Sequence, residues 1–152
     1  MSTLKKVQQY LKEIEKNNNK GKKINAILQV NPRAEEEARA VDEKIKKGKA
    51  GKLAGKVIAV KANINVRGLN ASCASRTLEN YKSPYDAEVV KKIREEDGVI
   101  IGICNMDEFA CGSSGETSAF GACKNPTNLD LIPGGSSSGA RLLLLLVFAI
   151  WL

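Results

Sequence analysis

The chain has 152 residues and a mass of 16.4 kDa, 43% apolar and 27% charged. That length suits one domain, and that composition excludes a wholly disordered chain or a fibre. It contains no histidine, which removes Ser-His-Asp triads, Cys-His dyads and His-containing metal sites, so acid-base chemistry near neutral pH falls to a shifted Lys, Cys, Asp or Glu.

The net charge of +7 is concentrated at the N-terminus. Residues 1–56 hold 15 basic and 7 acidic side chains, residues 57–152 hold 9 and 10. A solvated lysine-rich surface and a weak electrostatic site for nucleic acid or an acidic protein partner both fit. Tyr10 is the one aromatic residue of that stretch, which speaks against a single-strand stacking platform. Cys73, Cys104, Cys111 and Cys123 form no C-x-x-C pair. They are expected to be reduced, small core residues of a cytoplasmic protein, and no metal is expected.

Leu4, Val7, Leu11 and Ile14 make one apolar stripe on a helix, with Ser2 as its cap and Asn17–Gly21 as its stop. Ile24–Val30 reads as a short strand ended by Asn31-Pro32. Ala34, Ala38, Val41 and Ile45 predict a second amphipathic helix, stopped by Gly48. Lys56–Val60 is a nearly all-apolar run of strand length, as for a strand buried on both faces. Residues 68–82 read as a loop. Ser83-Pro84-Tyr85-Asp86 reads as a helix start, the helix running to Asp97 and stopping at Gly98. Val99–Ile103 is a second buried strand, so strand, helix and strand predict a parallel crossover and an α/β class. Residues 105–139 are rich in Gly, Ser and Thr, a composition common in site-bearing loops.

Leu142–Leu152 is an uninterrupted run of 11 apolar residues. As a helix it would be about 16 Å long, too short for a bilayer. It is unlike the rest of the chain, and two origins fit: a buried helix, or alanine codons read one base out of register, since repeated GCT becomes CTG. The expected organisation is an N-terminal helical segment (1–50), a partial domain (51–140) and an aberrant apolar tail (141–152).

Two features carry chemistry. Lys61 follows the apolar run Val57–Val60, so its amine is drawn into a setting that lowers its pKa and makes it a competent base. A lysine that snorkels to water fits the same pattern. Pro133-Gly134-Gly135-Ser136-Ser137-Ser138-Gly139 brings backbone N–H groups and three hydroxyls together. A flexible linker is the alternative there. No Gly-Lys-Ser/Thr follows, so it is not a phosphate-binding P-loop.

Read together, three stretches resemble the amidase signature family: Gly55–Val66, then Asn105–Gly121, then Asn125-Pro126 with Pro133–Ser137. Within the family they are most similar to the A subunits of tRNA-dependent amidotransferases. The resemblance implies a mixed sheet between helices, here incomplete, and a Ser-cisSer-Lys triad. Lys61 is then the lysine base and Ser136 the bridging serine. Gly112, Ser113 and Ser114 belong to the segment that shapes the substrate channel. The family's nucleophilic serine follows the bridging serine by about two dozen residues, in a loop that also supplies oxyanion donors. That places it past Leu152, so a truncated chain with little activity of its own is expected. Ser137 and Ser138 are poor substitutes without such donors.

The implied reaction takes ammonia from glutamine to convert Glu-tRNA(Gln) to Gln-tRNA(Gln). The implied partners are a B subunit, which uses ATP and Mg²⁺, and a small C subunit. tRNA is met only through the complex, and no cofactor or membrane is implied for this chain. A non-catalytic partner-binding fragment and a piece of a general amidase are the alternatives.

Overall fold

A computed structural model describes residues 1–140 and the backbone of residues 150–151. The remainder of the apolar tail, 141–149 and 152, lies outside the described residues. Helix α1 spans Thr3–Ile14, and the Ser2 hydroxyl accepts the Lys5 N–H at 3.3 Å as its cap. A π-helical turn, Glu15–Asn19, follows. Then come β1 (Ile27–Val30), α2 (Ala34–Lys46), β2 (Val57–Lys61), α3 (Glu88–Glu95), β3 (Val99–Cys104) and β4 (Ile150–Trp151).

The sheet order is β1-β3-β2-β4. Strand β3 runs parallel to β2 and antiparallel to β1, and β4 runs parallel to β2. The sheet is therefore mixed, with α3 as the crossover between the parallel pair β2 and β3.

The continuous apolar runs of β2 and β3 have a direct cause. Val57, Ala59, Val99 and Ile101 pack with Val7 and Ile14 of the N-terminal helix and with Ala34, Ala38 and Val41 of α2. Ile58, Val60, Ile100 and Ile103 pack on the other face with Val90 and Ile93 of α3 and with Val66, Leu69 and Ala74. Both faces are covered, so no position alternates to polar. The register shifts where Ile58↔Ile100 gives way to Ala59↔Gly102, skipping Ile101. This bulge turns Ile103 onto the α3 face. Gly102 is required beside it, because a Cβ there would overlap the Gln29 carbonyl on β1.

Five expectations need correction. The strand begins at Ile27 rather than Ile24, because Lys23 and Asn25 take φ of +49° and +56°. Ile24 and Ala26 instead make a small cluster with Cys123. Helix α3 begins at Glu88, because Ser83-Pro84-Tyr85-Asp86 is used differently. The Ser83 hydroxyl donates to the Tyr85 carbonyl, and Asp86 accepts the Arg67 N–H at 2.7 Å instead of capping a helix. The helix ends at Glu95, and Asp97, not Gly98, takes the left-handed conformation, φ +62°. Gly98 serves packing: a Cβ there would lie 2.6 Å from Ile93 Cγ2. Ile45, placed on the apolar stripe of α2, is exposed, and so is Cys111, whereas Cys104 and Cys123 are buried.

Helices α1 and α2 are joined end to side by Asp42. Its carboxylate accepts the Thr3 N–H at 2.7 Å and the Leu4 N–H at 3.0 Å, two donors that the helix itself cannot satisfy. Burial pushes the Asp42 carboxyl up, but these N–H groups and the Lys46 ammonium more than offset it, and the net shift is downward from 3.8. Asp42→Ala is expected to cost about 1 kcal/mol. The folded pKa is depressed, so the contribution is fully present above the ordinary carboxylate value and is lost as pH falls through the folded value. Urea unfolding of wild type and variant checks this: their midpoints should differ at neutral pH and converge in acid.

Candidate active site

Lys61 is the last residue of β2, at the carboxyl end of the parallel pair, where α/β sheets commonly bind ligands. The buried run before it fixes the strand in the core, and the chain then turns away, Ile64 N–H donating to the Lys61 carbonyl at 2.9 Å. Lys61 is half-buried. Burial lowers its pKa from the ordinary 10.5, and the charge of Asp107 opposes this without cancelling it.

The Gly/Ser loop is an ordered part of the site rather than a linker. It is stitched to the segment that leaves β3: Asp107 N–H donates to the Ser136 carbonyl at 3.0 Å, and Gly139 N–H donates to the Asn105 carbonyl at 3.0 Å. Asn105 is fully buried, and its side-chain amide donates to the Asn25 and Gly121 carbonyls at 3.0 and 3.1 Å. The Gly135–Ser136 peptide is cis. Lys61 Nζ donates to Ser136 Oγ at 2.7 Å, across 75 positions of sequence. At that distance a proton can pass between amine and hydroxyl in either direction.

The other hydroxyls of the loop are placed differently. Ser138 is fully buried and Ser137 half-buried. Gly112, Ser113 and Ser114 lie on the turn beside the loop. The Ser113 carbonyl accepts the Gly135 N–H at 2.6 Å, Gly112 packs on Asp107, and Ser114 Oγ accepts the Glu116 N–H at 3.4 Å. Their observed contacts are thus with the loop, with Asp107 and within their own turn. Asp107 stood in the sequence as one residue of the channel motif with no task of its own. The structure puts it at the centre of these segments. The available signal was a carboxylate in a Gly/Ser-rich stretch directly after a fully buried strand.

The Amidase family profile matches residues 5–142. Among curated proteins, the chain is 59% identical over 138 residues to the A subunit of the Methanocaldococcus jannaschii glutamyl-tRNA(Gln) amidotransferase, covering 90% of this chain and 31% of that one. It is 55% identical over 136 residues to the corresponding Methanococcus vannielii protein, covering 89% and 30%. Among solved structures, native peptide amidase of Stenotrophomonas maltophilia superposes with a TM-score of 0.88 at 30% identity, over 94% of this chain and 30% of that one. The A subunit of the Thermotoga maritima glutamyl-tRNA(Gln) amidotransferase superposes with a TM-score of 0.75 at 36% identity, over 93% and 28%. The chain spans about a third of the length of the curated relatives it matches. On this match and these relatives, the chain belongs to the amidase family.

Proposed function

We propose that residues 1–140 supply the lysine-serine half of a glutamine-hydrolysing site in the A subunit of a tRNA-dependent amidotransferase. One observation carries the proposal: the partly desolvated Lys61 amine lies 2.7 Å from Ser136 Oγ.

In this chemistry the neutral Lys61 amine takes the Ser136 hydroxyl proton as Ser136 takes a proton from a nucleophilic serine beyond residue 140. The nucleophile attacks the side-chain amide carbon of glutamine. Protonation of the leaving nitrogen by the same relay releases ammonia and leaves an acyl-enzyme. Water then attacks the ester, giving glutamate and restoring the serine. The turn carrying Gly112, Ser113 and Ser114 flanks the approach to Ser136. Ammonia would pass to a B subunit, where ATP and Mg²⁺ serve to activate the glutamate on tRNA, with a C subunit completing the assembly. Identity of 51–59% to the curated amidotransferase A subunits and 36% to the solved one, against 30% to peptide amidase, favours this assignment over a general amidase.

A chimera tests it. Residues 1–140 of this chain replace the matching segment of the M. jannaschii relative, assembled with that organism's partner subunits. Ammonia release from glutamine and formation of Gln-tRNA are expected. A folded, assembled chimera that releases no ammonia would refute the proposal. Ammonia release without Gln-tRNA formation would favour the general amidase.

A further inference from the structure

The proton relay leaves one buried charged group without a role. Asp107 is fully buried. Its Oδ1 accepts the Gly115 N–H at 3.0 Å, the Thr117 N–H at 3.3 Å and the Thr117 hydroxyl at 2.9 Å, and Oδ2 shares the Gly115 N–H at 3.1 Å. Its own N–H holds the Ser136 carbonyl. Two glycines make room for the carboxylate. A Cβ on Gly112 would lie 2.6 Å from Asp107 Cγ, and a Cβ on Gly135 would overlap Oδ2. A buried carboxylate costs free energy unless donors and positive charge compensate it. A group this fully surrounded, placed between the two strands of sequence that meet at Ser136, has no reason to be there if the site needs only an amine and a hydroxyl.

We infer that Asp107 is the positioning residue of the Lys61–Ser136 pair, clamping the Ser136 backbone and the 112–117 turn to the end of β3. It does so from both ends of the residue. The main-chain N–H fixes the Ser136 carbonyl, and the side chain fixes the turn whose Ser113 carbonyl in turn fixes the Gly135 N–H. The inference rests on Lys61 and Ser136 being the working pair, but its test needs no turnover.

The clamp has an electrostatic consequence. Burial favours the neutral Lys61 amine and Asp107 favours the ammonium. Among the described residues, the titratable neighbours along the backbone are thiols: Cys104 is the register partner of Lys61 on β3, and the Cys73 N–H donates to the carbonyl of the adjacent Ala62. Burial pushes both thiols up, which holds them uncharged further into the alkaline range. Asp107 is therefore the charge to which Lys61 responds.

The test uses the 152-residue chain with ¹³C-labelled lysine, following the Lys61 Cε resonance against pH. Asp107→Asn keeps an oxygen for Gly115 and Thr117 and removes the charge. Its Lys61 midpoint is expected to shift to lower pH than in wild type. An unchanged midpoint, or one shifted up toward the ordinary lysine value, overturns the electrostatic part. A merely structural defect would expose the amine and raise the midpoint, so the two differ in sign. For the clamp, amide hydrogen exchange is followed in Asp107→Ala. Exchange at Gly115 and Gly135 should speed up at least about tenfold while the β2 amides stay protected, as for a local opening. Retained protection at Gly135 overturns the clamp. If the Ala variant does not fold, Thr117→Val, which keeps the charge and removes one donor, is judged by the same exchange at Gly115 and Gly135. Positive results here with an inactive chimera would leave the clamp standing and remove the proposed function.

Discussion

Replacing Lys61 with Met in the active chimera lowers the kcat for glutamine hydrolysis by about a thousandfold or more, with KM changed little. Losses of that size are usual when a proton-transfer group in a concerted relay is removed. Met keeps the unbranched stem and so the packing beside the apolar end of β2, but it offers no atom that takes a proton from Ser136. No imidazole from residues 1–140 stands in for the amine, because this chain has no histidine.

Lys61→Arg separates base from charge. A guanidinium stays protonated across the working range, so Arg restores the positive charge near Asp107 without restoring a base. Activity is expected to stay as low as in the Met variant. The pH profile adds a sign. The neutral amine is the active form, so kcat/KM rises with pH to a plateau, and the limb lies below 10.5 because burial lowers the Lys61 pKa. An Arg variant with near-normal activity would show that Lys61 works through its charge, and the base assignment would fall.

The fold was largely legible because its core elements announce themselves locally. Lys56–Val60 and Val99–Ile103 read as buried strands, and the clusters on both faces of the sheet explain why. The antiparallel pairing of β1 to β3 was beyond local pattern, since nothing in Ile27–Val30 encodes its partner. Ser83-Pro84-Tyr85-Asp86 misled for a related reason. Asp86 has the right chemistry for a first helical turn, but the Arg67 N–H and the Arg94 guanidinium compete for it.

The candidate site was legible to a smaller degree. Residue pattern alone left Lys61 open between base and snorkelling cation, and left the Gly/Ser loop open as a linker. The family resemblance was what joined them. The residues that hold the loop in place were not visible, because their partners are distant: Asp107 N–H to Ser136, Gly139 N–H to Asn105, Gly135 N–H to Ser113. A glycine in such a loop looks like freedom in the sequence, and in the structure it is a contact.

Gly135 makes that difference measurable. A Cβ there would overlap Asp107 Oδ2 and lie 2.9 Å from the Ser113 carbonyl carbon and 3.0 Å from the Ser114 nitrogen. Two of these are backbone atoms, and the third belongs to a carboxylate held by Gly115 and Thr117, so no flexible side chain can give way. Gly135→Ala must therefore lift the 133–136 loop from its seat, carrying Ser136 Oγ off the Lys61 amine. A misplacement of about 1 Å costs about a hundredfold in rate, and here the shift falls on the transferring atom itself. A loss of at least that size in chimera activity is expected, together with a stability cost of about 1–3 kcal/mol from overpacking. Gly48→Ala is the control. Gly48 has positive φ, +64°, which Gly135 does not, and nothing lies within 4 Å of its Cβ position. It should lose about 1 kcal/mol of stability and no activity. If the two variants lose activity alike, general destabilisation rather than the close seat on Asp107 explains the loss at Gly135. A large loss confined to Gly135→Ala, read beside the two melting temperatures, would show that the seat itself sets the distance between Lys61 and Ser136.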